Sequence, residues 1–508
     1  MAVSERSVRL VELGHWIDGS PVAGSDFEVG HDAPDAIPYY RVPAASEAQV
    51  GAAVAGARAA LRGWRRATAR ERGRVLRRAA AHLEGRVAEI APVIVRESGK
   101  PVTQAEGEVR RAVAALEDFA AYASIDRSSA TPRYSSEVWG IEVREPVGVA
   151  AVVGTWNLPL QIFATKIGAA LAAGCTVVLK PSPLAPCSAH FLVEAFEHAG
   201  LPTGAMQLVH GSVDTTKHLV AHPDVAIASF TGKDSSGRAV MAAMARALTK
   251  PLLELGGKSA NIVFADADLD RAVPGLVAGF VRNQGATCTA GTRIMVEREV
   301  YDETVARLRS ALATVEVGDP YLADTQVGAM RHRELYGSVL SEIELSRDRG
   351  GEVLSGGNPV TVVGRTGSYL APTLLGGLSN RDRLCRGELF GPLAVILPFS
   401  GADEAVELAN DSDYGLAAGL WSRDMEKLEY VWAELEVGTV YVNSYHRIDG
   451  IALPAGGRKG SGFGLEGGTA GVEEFTTAKS IHIPRFKGRR PQAESPAVPV
   501  PGAPLEAE

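Results

Sequence analysis

The chain has 508 residues, 46% apolar and 22% charged, with 52 Lys and Arg against 60 Asp and Glu, for a net charge of −8. At roughly 150 residues per domain this length can bury a large core over two to four domains, and the slightly acidic balance excludes the basic footprint of a nucleic-acid or anionic-membrane binder. Cys175, Cys187, Cys288 and Cys385 form no CxxC pair and no disulfide framework, the N-terminus lacks a signal-peptide pattern, and no run approaches the ~20 apolar residues of a membrane span. The expectation is a cytoplasmic protein with no nucleic-acid or membrane partner.

In chain order, residues 67–100 carry consecutive amphipathic helical periods that stop at Gly99 and Pro101, and a further helix is expected from Val109 to Tyr122. The arginine run from Arg62 to Arg78 alternates with Leu61, Trp64, Val75, Leu76, Ala79 and Leu83, which predicts a solvated helix face. RYSSEVWGIEVR (133–144) alternates like a two-faced antiparallel strand and predicts an interaction flap. From residue 147 short apolar strands (147–153, 176–181, 206–211, 225–232, 251–257) alternate with helices (160–173, 188–199, from 215, from 236). That alternation predicts a parallel, doubly wound sheet with ligands at its strand C-termini. A second α/β series runs from about 261 to 442, through SANIVF, RIMVE, LAVILPF and GTVYVN, and the Pro-, Ala- and Glu-rich stretch 485–508 predicts a disordered tail.

Two glycine-bracketed strings carry chemistry. Cys288 in FVRNQGATCTAGTR lies on irregular backbone among small neighbours, where a thiolate has free approach to a carbonyl and a backbone N–H can face the developing oxyanion. Glu254 in PLLELGGKSAN ends a strand, the position from which open α/β sheets present reactive groups. The other cysteines, Cys175 at a strand start and Cys187 at a helix start, suit packing, with Cys385 less decided. In FTGKDSSGR (230–238), Gly232 and Gly237 frame a turn opening a helix whose free N–H groups suit pyrophosphate. His218 and His222 share one helix face, but the glutamate of HExxH is missing, so no metal site is expected.

These strings closely resemble the aldehyde dehydrogenase family, over about residues 10 to 485. The resemblance implies an aldehyde dehydrogenase-like α/β fold, with a Rossmann-type doubly wound cofactor domain (1–126 and 147–254), an α/β catalytic domain (255–456) and a small β oligomerisation arm (127–146 and 470–484). It implies Cys288 as nucleophile, Glu254 as the base that activates water against a thioester, and Asn157 in GTWNLPL as an amide donor to the oxyanion, although an asparagine before a helix is also a common N-cap. Lys166 matches a lysine that relays protons or orders its helix. NAD or NADP is the implied cofactor, at Trp156, Lys180, Pro183, Gly211, Gly232, Lys233, Gly237, Leu255, Glu388 and Phe390. Lys233 replaces a usual serine, and Pro183 a frequent ribose-binding glutamate, so a 2′-phosphate is not repelled. Ala455 replaces a usual phenylalanine and Leu158, Ile162 and Thr165 stand where bulkier residues are common, which implies a wide tunnel for a small-molecule aldehyde. The implied reaction is oxidation to the carboxylic acid in a homodimer or homotetramer. The alternatives are a CoA-acylating semialdehyde dehydrogenase, against which Glu254 argues, a non-catalytic structural protein of the same fold, and a cysteine hydrolase, for which no histidine base is apparent.

Overall fold

The computed structural model describes residues 10–125, 128–131, 137–446 and 452–485; the expected tail from 486 onward and residues 133–136 of the expected flap lie outside them. Two compact units emerge: residues 10–125 with 146–477, and 128–145 with 478–485.

The helices of the N-terminal third start and stop for local reasons. Glu47–Trp64 and Ala69–Glu84 each open with a capping box, Ser46 with Gln49 and Thr68 with Glu71. Val87–Ser98 ends where Gly99 turns left-handed at φ 81°. The next helix, Val102–Tyr122, begins seven residues before the expected Val109, its Pro101 standing at the N-cap. Arg72 departs from the solvated face expected for the arginine run: half-buried, it donates from Nε to the Ala172 carbonyl at 2.9 Å and from a terminal nitrogen to the Ala67 carbonyl at 2.7 Å. It thereby satisfies a carbonyl at the C-terminal end of the helix Gln161–Ala173.

The first α/β sheet has eight strands, with Val149–Val153, Thr176–Lys180, Met206–Leu208, Val225–Thr231 and Lys250–Glu254 parallel. Alternate residues feed opposite cores: Ala150, Val152, Val177 and Leu179 face one helical layer, while Val149, Ala151, Val153 and Val178 face the other. Burial on both faces explains why these strands read as unbroken apolar runs. From Val149–Val153 the chain winds outward through Thr176–Lys180 to Met206–Leu208, then returns to place Val225–Thr231 on the opposite side. The winding therefore reverses between Val149–Val153 and Val225–Thr231, where the diverging connections open a crevice.

A seven-stranded sheet carries the second series, including the mutually parallel Ala260–Val263, Arg293–Glu297, Leu393–Phe399, Ala417–Trp421 and Thr439–Val442, with an antiparallel strand, Glu352–Ser355, at one edge. The second unit holds a three-stranded sheet of Ser129–Thr131, Val138–Pro146 and Thr476–Pro484. Its last strand begins at Thr476 rather than at the expected arm boundary of 470, because the short helix Gly468–Glu474 takes the preceding residues.

Candidate active site

The crevice is a cavity of about 320 Å³, lined by Thr155, Trp156, Asn157, Thr231, Gly232, Lys233, Leu255, Cys288, Glu388 and Phe390, with His332, Leu335, Ser338 and Leu389 closing it. Eight of the residues singled out in the sequence thus share one wall system. Lys180, Pro183 and Gly211 stand apart from it, Lys180 ending the adjoining strand Thr176–Lys180, Pro183 just after it and Gly211 just after Met206–Leu208. Lys180 is buried, and burial lowers its ammonium to about 8; the Pro183 carbonyl accepts from the Tyr40 hydroxyl at 2.7 Å. Gly211, at φ 148°, leaves room for Thr215, whose Oγ1 would lie 2.1 Å from an added Cβ.

Cys288 is half-buried in a turn after a strained approach. Asn283, Gln284 and Gly285 take φ of 54°, 53° and 73° in succession, and two of them are not glycine, a conformation that costs roughly 1–2 kcal/mol per L-residue. Side-chain hydrogen bonds hold it: Asn283 Nδ2 donates to the carbonyls of Asn157 and Ala286, both at 2.9 Å, and Gln284 Nε2 to that of Ala329 at 2.7 Å. Desolvation pushes the Cys288 thiol up to about 12, with the negative charges of Glu388 and Glu254 adding to it and the N–H groups of Thr289 and Cys288 opposing. The resting thiol is neutral at pH 7 and needs a base to become a nucleophile.

Glu254 closes its strand with the carboxyl buried, Oε1 meeting no protein donor. Burial raises its pKa well above the usual carboxylate range, the charge of Glu466 adds to the shift, and Lys166 and the Gly457 N–H oppose it. Lys166 binds the Ser229 hydroxyl at 2.7 Å and forms an ion pair with Glu466. The base therefore sits beside a second carboxylate that a lysine partly neutralises. The glycines of LELGG are explained by contact: a Cβ on Gly257 would fall 2.3 Å from the Cys288 carbonyl, and one on Gly256 2.9 Å from a Glu388 carboxylate oxygen. Gly257 N–H donates to Glu388 at 3.1 Å, and burial raises the Glu388 carboxyl to about 7.

Asn157 is not an N-cap. The helix Gln161–Ala173 has no side-chain cap of its own; its first N–H groups, those of Leu160 and Gln161, are accepted by Glu108 Oε1 at 2.9 and 3.3 Å, from another helix. Glu108 is paired with Lys100 at 2.5 Å, both fully buried, and Lys100 also donates to the Asn157 carbonyl at 2.7 Å. With its backbone clamped, Asn157 gives one amide hydrogen to the Ala286 carbonyl at 2.9 Å and keeps the other.

The cavity fits a dinucleotide. The helix Asp234–Ala247 starts at Lys233 with no side-chain cap, so its first N–H groups are unclaimed where a phosphate would lie. Gly237 lets that helix close on Leu255, whose Cδ2 would stand 2.4 Å from an added Cβ, and the buried Thr231 Oγ1 has no protein partner. Phe390 and Trp156 meet edge to face at 5.8 Å, forming an aromatic flank at the Cys288 end.

Glu466, Lys100, Glu108 and Asn283 carried no sequence signal. Glu466 lay in view in GLEGG, but only its ion pair with Lys166, 300 residues away, gives it meaning.

The Aldehyde dehydrogenase family model matches residues 16–481. A 2-hydroxymuconic semialdehyde dehydrogenase of Pseudomonas sp. (strain CF600) is 37% identical over 492 residues, covering 93% of this chain and 99% of that one. The 4-trimethylaminobutyraldehyde dehydrogenase of Homo sapiens is 35% identical over 440 residues, 86% of this chain and 89% of that one. Among solved structures, an NAD+ complex of aldehyde dehydrogenase from Bacillus cereus superposes with a TM-score of 0.90 at 32% identity, covering 93% of this chain and 96% of that one.

Two outcomes are expected. Replacing Glu466 by Gln removes a negative neighbour of Glu254, so the Glu254 pKa falls and the acid limb of the pH profile of kcat moves to lower pH; Lys166→Met moves it the other way. Lys100→Met strands a buried carboxylate, and denaturant unfolding is expected to show a loss of ~3–5 kcal/mol.

Proposed function

The chain belongs to the aldehyde dehydrogenase family and, as an NAD(P)-dependent oxidoreductase, oxidises an aldehyde to a carboxylic acid; within that activity we propose that Cys288 is the nucleophile, Glu254 the base and Asn157 an oxyanion donor. One observation carries the assignment: Cys288 and Asn157 line the same cavity, and Glu254 is close enough for its charge to bear on the thiol.

Glu254, in its carboxylate form, takes the Cys288 proton as the sulfur adds to the carbonyl carbon, giving a thiohemiacetal. The free Asn157 amide hydrogen and the Cys288 N–H are the donors available to its oxyanion, and removing one such donor typically costs ~3 kcal/mol. Trp156, Lys233, Glu388 and Phe390 would hold the nicotinamide, which would supply the hydride acceptor. A thioester on Cys288 then remains, and Glu254 deprotonates the water that cleaves it, releasing the acid and regenerating the thiol. The high pKa of Glu254 suits both proton transfers. Lys166 and Glu466 lie behind it as a path on which the proton can leave.

The division of labour we propose follows the two sheets, with 1–126 and 147–254 holding the dinucleotide and 255–456 presenting Cys288. Four free cysteines support a reducing, cytoplasmic setting. Among the described residues no helix is long and apolar enough to cross a membrane. Trp139, Ile481 and Ile483 are exposed on the three-stranded arm, and a small sheet with exposed apolar side chains is best stabilised by pairing with a second copy, as dimer or tetramer.

With an aldehyde and NAD+ or NADP+, the wild-type protein is expected to form reduced coenzyme and free acid, and Cys288→Ala none. Glu254→Gln is expected to slow both the first formation of reduced coenzyme and steady turnover, the latter at least ~100-fold, because it removes the base for the thiol and for the hydrolytic water. A variant lacking Cys288 that still oxidises aldehydes would remove the assignment.

A further inference from the structure

A second cavity, of about 290 Å³, is lined by chain neighbours of residues that line the first, Leu158 following Asn157 and Thr287 preceding Cys288. Thr287, next to Cys288 in the chain, lines it, as does Tyr441, which is near enough to Cys288 for the two side chains to interact electrostatically. Leu158, Ile162, Thr165 and Ala455, the small residues noted in the sequence, form its apolar wall. It is the compartment for the part of the substrate that does not react, and its charge is informative.

Five ionisable side chains other than Tyr441 line it: Lys100, Arg111, Arg282, His446 and Glu466, with the buried Glu108 behind Lys100. Most of these charges are accounted for. Lys100 is paired with Glu108, and Glu466 with Lys166. His446 is held neutral, its pKa lowered to about 4 by burial and by the nearby Arg282 and Arg111, while its Nε2 meets the Thr289 hydroxyl at 2.9 Å. Tyr441 is held neutral by burial.

Two positive charges remain. Arg111 donates Nε to Gln161 at 2.8 Å and forms no ion pair of its own among the described residues, the nearby Glu108 charge being shared with Lys100; Arg282 forms none either. Both are only partly exposed, and burial lowers both, Arg111 to about 10 with Arg282 contributing. Two neighbouring, partly desolvated guanidinium groups without an ion-pair partner of their own are costly unless an anion sits between them, and a carboxylate matches their forked donors.

We propose that Arg111 and Arg282 form a carboxylate subsite, and that the substrate is an aldehyde bearing a carboxylate at its far end, oxidised at Cys288 to a dicarboxylic acid. This rests on Cys288 being the reactive centre. Relatives named for a trimethylamino aldehyde and for a muconic semialdehyde show that family members act on aldehydes of different charge; here the uncompensated arginines select the anionic kind.

The test uses sets of three aldehydes matched in length, one ending in a carboxylate, one in its methyl ester, one in a trimethylammonium group. Wild-type kcat/KM is expected to favour the carboxylate at least tenfold over the ester and more over the cation. Arg111→Gln and Arg282→Gln are each expected to lower kcat/KM for the carboxylate at least tenfold, mainly through KM, and to leave the ester within about threefold. Binding is checked without turnover: the dicarboxylate product is expected to raise the Tm of the wild-type protein, and that shift to be lost in either variant. Equal use of ester and carboxylate by the wild-type protein, preference for the cation, or equal losses for all three substrates in the variants would overturn the proposal. Failure of every aldehyde, the ester included, would instead strike the assignment of Cys288.

Discussion

A buried ion pair organises this molecule. Lys100 and Glu108 stand on successive segments of the N-terminal helical layer, with side chains 1% and 0% exposed. In a low-dielectric interior such a pair is retained only if each partner's remaining hydrogen-bonding capacity is met. Here it is met by backbone: Glu108 takes the N–H groups that open the helix Gln161–Ala173, and Lys100 takes the carbonyl of Asn157. The polar centre therefore fixes the turn between the first strand of the doubly wound sheet and its helix. Asn283 reaches the same Asn157 carbonyl from the strained turn before Cys288, so the amide donor and the sulfur are referenced to one atom.

The base is set by a different balance. Glu254 is desolvated and has a carboxylate neighbour, both of which favour its protonated form, while Lys166 favours the charged one. Because Lys166 also binds Glu466 and Ser229, its position is fixed, and so is its influence. A carboxyl poised between protonation states can accept a proton from a thiol and later from water, which a fully solvated glutamate, ionised at pH 7 and weakly basic, does poorly.

Glycines mark where backbone must pass reactive groups. Gly256 and Gly257 run beside Glu388 and the Cys288 carbonyl, and Gly285 turns left-handed where a Cβ would lie 1.8 Å from the Gly391 carbonyl. Close approach, rather than flexibility, is their physical reason. They let strand ends from both sheets converge on one crevice.

The amino-acid sequence by itself determined what depends on local geometry: strands buried on both faces read as apolar runs, helix ends carry caps and Gly99, and Cys288 and Glu254 stand in backbone contexts that expose a side chain at a strand end or turn. It also showed the small residues Leu158, Ile162, Thr165 and Ala455, which the fold gathers on one cavity wall. Tertiary structure alone decided the pairings. Whether Asn157 caps a helix was open until Glu108 proved to cap it from another one; Arg72 lay in a run of surface arginines until it met the Ala172 carbonyl. Glu466, Arg111 and Arg282 are ordinary residues in their local context. Their meaning comes from which charges face them across hundreds of residues of chain, and Coulomb interactions depend on distance in space, for which separation along the sequence carries no code.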